Sequence, residues 1–171
     1  YGDKVVLSAT KTGYSCEVSN SSITVGAADI TDANVSCTIN TYSISGATNG
    51  ASVTAKVDGV LTIVSPTSSG YTVSAQYGQR VELTATKPGY SCAIAGSPFT
   101  LSDANVTNAD VSCTINIYGV GGTNLQGATV VISGSSVLGQ TAKTDNPYRF
   151  TAQYGDKVVL SATKTGYSCE V

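Results

Sequence analysis

Residues 77–94 read YGQRVELTATKPGYSCAI. Val81, Leu83 and Ala85 alternate with Glu82, Thr84 and Thr86, and period-two alternation marks a strand with one buried face. Lys87-Pro88-Gly89 then supplies a turn, after which Tyr90, Cys92 and Ile94 share a face. Working outward, Ala51, Val53, Ala55 and Val57 alternate with polar neighbours, as do Tyr71, Val73 and Ala75, and then Val111, Cys113 and Ile115. Asp58-Gly59 and Tyr77-Gly78 separate the runs. No segment has helical periodicity. The pattern predicts an all-β fold of small antiparallel β-sandwich modules with about seven strands each.

The same eighteen-residue stretch occurs three times. Residues 1–18, YGDKVVLSATKTGYSCEV, recur letter for letter at 154–171, and the copy at 77–94 matches them at eleven positions. The copies are offset by 76 and then 77 residues, and fixed-period similarity signals a tandem array. Modules alternate in an A-B-A order. The reading divides the chain into 1–40, the C-terminal part of an A-type module; 41–116, a complete module; and 117–171, the N-terminal part of another A-type module. Both ends lie at the same phase of the repeat, as expected of a window on a longer array.

Each module is near the lower size limit for a self-sufficient core, so cross-links matter. Cys16 to Cys37 and Cys92 to Cys113 span the same separation, while Cys169 occupies a first-cysteine position without a partner in this window. Two disulfides, Cys16–Cys37 and Cys92–Cys113, are the expectation, with buried free thiols as the alternative. Closing a loop of about 20 residues stabilises by roughly 3 kcal/mol in the chain-entropy model. Parity places each cysteine with inward apolar neighbours, so both bonds should lie inside and pin strand register. Persistent disulfides imply an oxidising, extracellular or cell-surface location.

The junctions lack spacers. Val35-Ser36-Cys37-Thr38-Ile39-Asn40 runs through Thr41 into Tyr42-Ser43-Ile44, and the stretch from Val111 through Tyr118 behaves likewise. Flexible linkers are rich in Gly and Ser. Continuous strand-like sequence instead predicts modules held in a fixed relation, as in a stiff rod.

The segments Gly127-Ala128-Thr129-Val130, Thr144-Asp145-Asn146-Pro147-Tyr148-Arg149-Phe150 and Gly166-Tyr167 resemble the carboxypeptidase-regulatory-like repeats, which are transthyretin-like, Ig-like bacterial β-sandwiches. The resemblance runs through essentially the whole chain and implies that fold. Two departures stand out: Asn146-Pro147 replaces the usual hairpin glycine, and cysteines occupy positions that are usually apolar. Similarity to pilin-type sandwiches raises a Lys–Asn isopeptide bond as a disfavoured alternative, since it would need a buried acid that Glu82 could supply in one module alone. Val6 and Val159 stand at the equivalent positions; there the apolar-for-acid exchange on an outward site could distinguish A from B faces.

Chemistry is sparse. The chain has no His, which excludes Ser-His and Cys-His nucleophile pairs, and its cysteines lack the close CxxC spacing of zinc sites. Neither acidic loop, 29–34 or 103–110, has calcium-loop spacing. No catalytic residue, cofactor or metal is expected. A net charge of −2 without basic runs gives no footprint for nucleic acid, and no apolar run reaches the length of a membrane span. Asn20, Asn34 and Asn105 begin N-x-Ser/Thr sequons, making glycosylation possible. Tyr14, Tyr42, Tyr71, Tyr90, Tyr118, Tyr148 and Tyr167 suit core or corner positions, with a sugar-binding platform as the rival. The function expected is a non-catalytic structural repeat of an extracellular fibre, filament or stalk, whose partner is itself. The alternative is an adhesin-type module that binds carbohydrate, a glycan partner, or a protein.

Overall fold

The computed structural model describes residues 1–137 and 140–171. Its strands are β1 (Lys4–Val6), β2 (Tyr14–Val18), β3 (Ser22–Thr24), β4 (Val35–Ile39), β5 (Thr41–Ala47), β6 (Ser52–Val57), β7 (Val60–Thr62), β8 (Ser65–Pro66) and β9 (Gly70–Gln76). They continue as β10 (Arg80–Thr86), β11 (Tyr90–Ile94), β12 (Phe99–Thr100), β13 (Val111–Ile115), β14 (Ile117–Gly122), β15 (Thr129–Ser133), β16 (Tyr148–Gln153) and β17 (Val159–Thr163). Among the described residues there is no helix, hence none long and apolar enough to cross a membrane. The protein is all-β, with antiparallel strands in small sheets and two disulfides. Nine strands lie between Thr41 and Ile115 where alternation suggests about seven. The two-residue β8 and β12 are too short to display a period.

The chain forms two compact units, one of Tyr1–Ala85 with Ala93–Ser112 and one of Thr86–Cys92 with Cys113–Val171. In the first, a three-stranded sheet has the order β5-β9-β8 and a four-stranded sheet the order β12-β10-β6-β7. Ile44, Val73 and Ala75 from one sheet and Ala55, Val81 and Leu83 from the other are buried, as their alternation requires. Two ribbons, β1–β3 and β2–β4, complete this unit. In the second unit β14 pairs with β16 and β15 with β17. Val130, Ile132, Val137, Tyr148, Phe150 and Ala152 form its core.

Tyr71 is buried and its hydroxyl donates to Ala109 O at 2.5 Å. Burial, with Asp110 adding to it, pushes the phenol above its ordinary value. The folded chain therefore holds this proton more tightly than the unfolded chain does. That stabilisation is complete below the unfolded value near 10 and is lost as pH rises through the folded one. Urea unfolding of the native protein should show stability falling as pH rises above about 10. Tyr71→Phe should flatten it, and an equally steep fall in the variant would count against this role.

Glu82 lies on the outward face of β10, exposed and 3.6 Å from Arg80, where its alternation with Val81 and Leu83 puts it, so it supplies no buried acid for an isopeptide bond. Two other side-chain expectations need correction. The cysteines are not core residues: Cys16, Cys92 and Cys113 are half-buried and Cys37 is exposed, because two-stranded ribbons have little to cover them. Among the tyrosines only Tyr71 and Tyr148 are buried. Tyr118 and Tyr167 are exposed, and Tyr14, Tyr42 and Tyr90 are half-buried.

Candidate functional site

The repeated Lys-x-Gly-Tyr-Ser-Cys sequence builds a turn. Tyr14 N donates to Lys11 O at 3.0 Å, and Gly13 has φ +75°, the left-handed conformation that the third position of a type II turn reserves for glycine. Pro88 occupies the second position in the equivalent turn, where it is favoured. There Tyr90 N donates to Lys87 O at 3.0 Å. The turn lysine reaches over the tyrosine ring in all three copies, with Nζ 3.7, 4.4 and 4.3 Å from the centroids of Tyr14, Tyr90 and Tyr167. Such exposed cation–π contacts contribute about 0.5–1 kcal/mol each.

In the first unit this turn meets the end of another strand. A single residue, Asn40, separates β4 from β5. Along one edge of that long run, β2 pairs with β4 (Tyr14 opposite Ile39) and β9 pairs with β5 (Gln76 opposite Thr41). The two flanking strands abut opposite Asn40. Asn40 N donates to Gly13 O at 2.9 Å, and Tyr77 N donates to Asn40 O at 2.9 Å, so the backbone ladder crosses the seam unbroken. The Tyr77 ring fills the space a side chain on Gly13 would take, since a Cβ there would stand 2.2 Å from Tyr77 Cδ1. Ser15 Oγ donates to Asn40 Oδ1 at 2.6 Å, and Asn40 Nδ2 donates to Tyr42 Oη at 3.4 Å.

The second unit repeats the arrangement around Asn116, the single residue between β13 and β14. Asn116 N donates to Gly89 O at 2.8 Å and Tyr154 N to Asn116 O at 2.9 Å. Ser91 Oγ donates to Asn116 Oδ1 at 2.7 Å, and Asn116 Nδ2 donates to Tyr118 Oη at 3.4 Å. Gly89 has φ +76°, and a Cβ on it would lie 1.9 Å from Tyr154 Cδ1. Each hydrogen bond contributes a net of about 0.5–1.5 kcal/mol, so a seam of four is a firm local connection.

A disulfide sits beside each seam. Cys16 bonds Cys37 directly across β2–β4, and Cys92 bonds Cys113 in the β11–β13 ribbon, while Cys169 is a free thiol. The third copy of the turn, Lys164 to Tyr167, is formed, with Tyr167 N donating to Lys164 O at 3.1 Å. Nothing lies within 4 Å of the side-chain position at Gly166.

Other candidate features are less organised. A cavity of about 410 Å³ in the second unit is lined by residues that include Leu125, Tyr148, Lys164, Tyr167 and Val171. Its buried polar residue, Asn124, is engaged internally: Nδ2 donates to Ala128 O and Thr144 O, and Oδ1 accepts from Ala128 N. Asn124 thus staples its own loop, a role with no repeat signature to reveal it in the sequence. All three sequon asparagines are exposed. Asn20 Nδ2 donates to Asp32 Oδ1 at 3.1 Å, Asn34 Nδ2 to Asp32 O at 3.5 Å, and Asn105 Oδ1 accepts from Ser43 N at 2.9 Å. No protein-family model, curated protein or solved structure matches the chain.

Proposed function

We propose that this chain is a non-catalytic structural repeat of an extracellular fibre, filament or surface stalk, assembled from tandem disulfide-stapled β-sandwich modules of the Ig-like, transthyretin-like kind. The observation that carries the reading is the seam, built twice from the same residue types at positions 76 or 77 residues apart. A joint made of continued backbone pairing leaves no free hinge at Asn40 or Asn116. The two disulfides fit an oxidising environment. In such an array, stability approximates a sum of unit and neighbour terms, and length is the property delivered.

Concatemers of one, two and three 153-residue repeats test this by small-angle scattering. The maximum dimension should grow in proportion to repeat number. Growth closer to the square root of that number, the behaviour of flexible chains, would sink the fibre reading.

A further inference from the structure

Residues 105–111, which lead into β13, lie along the edge of β5 that β9 leaves open. The bridge between Ile44 and Val106 is parallel. Val106 N donates to Ser43 O at 2.8 Å, Ser45 N to Val106 O at 2.9 Å, and Ala109 N to Ser45 O at 3.0 Å. Side chains extend this ladder at both ends. Asn105 Oδ1 accepts from Ser43 N at 2.9 Å, Asp110 Oδ1 accepts from Ala47 N at 2.7 Å, and Asn49 Nδ2 donates to Val111 O at 2.6 Å. The partners advance in the same direction on both segments. Gly46 permits the close approach, since a Cβ on it would lie 2.1 Å from Ala109 O.

The repeat keeps what this ladder uses. Asp29-Ile30-Thr31-Asp32-Ala33-Asn34-Val35 stands 76 residues before Asn105-Val106-Thr107-Asn108-Ala109-Asp110-Val111. Asn and Asp have changed places at three positions, so charge is not what the two copies share. Both residues offer an Oδ1 acceptor.

The chain enters this module through Asn40, at the N-terminal end of β5, and leaves it through Asn116, beyond the C-terminal end of 105–111. Tension along the chain therefore pulls two parallel neighbours from opposite ends. Such a load shears the bonds between them and stretches them together, whereas a load on ends lying side by side opens them one after another. We propose that β5 and residues 105–111 form a tension-bearing clamp, and that resisting axial pull is a further function of the module. Under that pull β5 leaves only by sliding past 105–111 on one side and β9 on the other. The Cys92–Cys113 bond passes load to β11 as well and closes off residues 93–112, so the clamp run is not drawn out straight.

The inference deepens the fibre reading and takes the direction of load from it. Its test is force spectroscopy on the full, oxidised chain held by peptide tags at its two ends. A second preparation carries one tag at the N-terminus and the other inserted in the exposed loop 102–104, beside the first bond of the ladder. Release of β5 from 105–111 should need a several-fold higher force end to end than from the loop. Forced unfolding follows the unfolding rate, and a hydrogen bond to a charged acceptor is among the stronger ones. Asp110→Ala should therefore speed end-to-end unfolding by about tenfold or more, and Asp110→Asn, which keeps the Oδ1 acceptor, should restore most of the loss. Thr84→Val removes a 2.6 Å hydroxyl bond to Thr54 in the other sheet, off the load path, and should leave the forced rate unchanged. Equal forces in the two geometries, or equal effects of Asp110→Ala and Thr84→Val, would overturn the clamp. Concatemers whose length grows in proportion, without a difference between pulling geometries, remove the clamp and leave the fibre; a geometry-dependent force in concatemers that scatter as flexible chains does the reverse.

Discussion

Phe150→Ala is expected to cost about 3–5 kcal/mol, the usual range for emptying an aromatic core site. Phe150 is 1% exposed, faces Val120 across β14–β16, and lies 5.9 Å from the Tyr148 ring in a tilted arrangement. The core around it is small and otherwise made largely of aliphatic residues, so little can move in to fill the gap. Total stabilities of small domains are about 5–15 kcal/mol, so the loss removes a large share of what holds the second unit together. Hydrogen exchange should accelerate strongly in β14 and β16 and change little in β5 and β9. If β5 and β9 loosen equally, the two units unfold as one, and the nearest-neighbour picture of the array fails.

Replacing Gly89 with alanine should cost about 2–4 kcal/mol and act at the seam. Part of this, about 1–2 kcal/mol, is the left-handed conformation imposed on a residue with a Cβ. The remainder comes from the Tyr154 ring, which cannot stay where a Cβ would approach it to 1.9 Å. Gly166→Ala is the control: it sits in the same type of turn at φ +81° with nothing within 4 Å, so it should carry the backbone cost alone. Chemical denaturation gives the difference between the two variants, and exchange at Tyr154 N–H reports whether its bond to Asn116 O survives. Equal costs would mean that the ring contributes nothing to the joint.

Much of the fold was legible because it follows from period. The inward positions of β6, β9, β10 and β16 are buried or half-buried in step with their alternation, and the structure joins Cys92 to Cys113 and Cys16 to Cys37. What the sequence could not display is contact between residues with no periodic relation. Tyr77-Gly78 reads as a turn signal, yet Tyr77 also packs on Gly13, 64 positions earlier. The clue was the constancy of Gly13, Asn40 and Tyr77 with Gly89, Asn116 and Tyr154, letters that alternation does not explain. The depth of the cysteines was not legible, because parity says which way a side chain points and is silent on what covers it. Glu82 illustrates the reverse: its parity alone places it outside.

The seam depends mainly on backbone groups, one asparagine and a tyrosine resting on a glycine, all unchanged between the A and B copies. Units with different surfaces therefore share a common connector. In the proposed array, deleting or adding one 153-residue repeat between the identical 1–18 and 154–171 segments would leave every joint matched. Length would then change by whole repeats without a new interface.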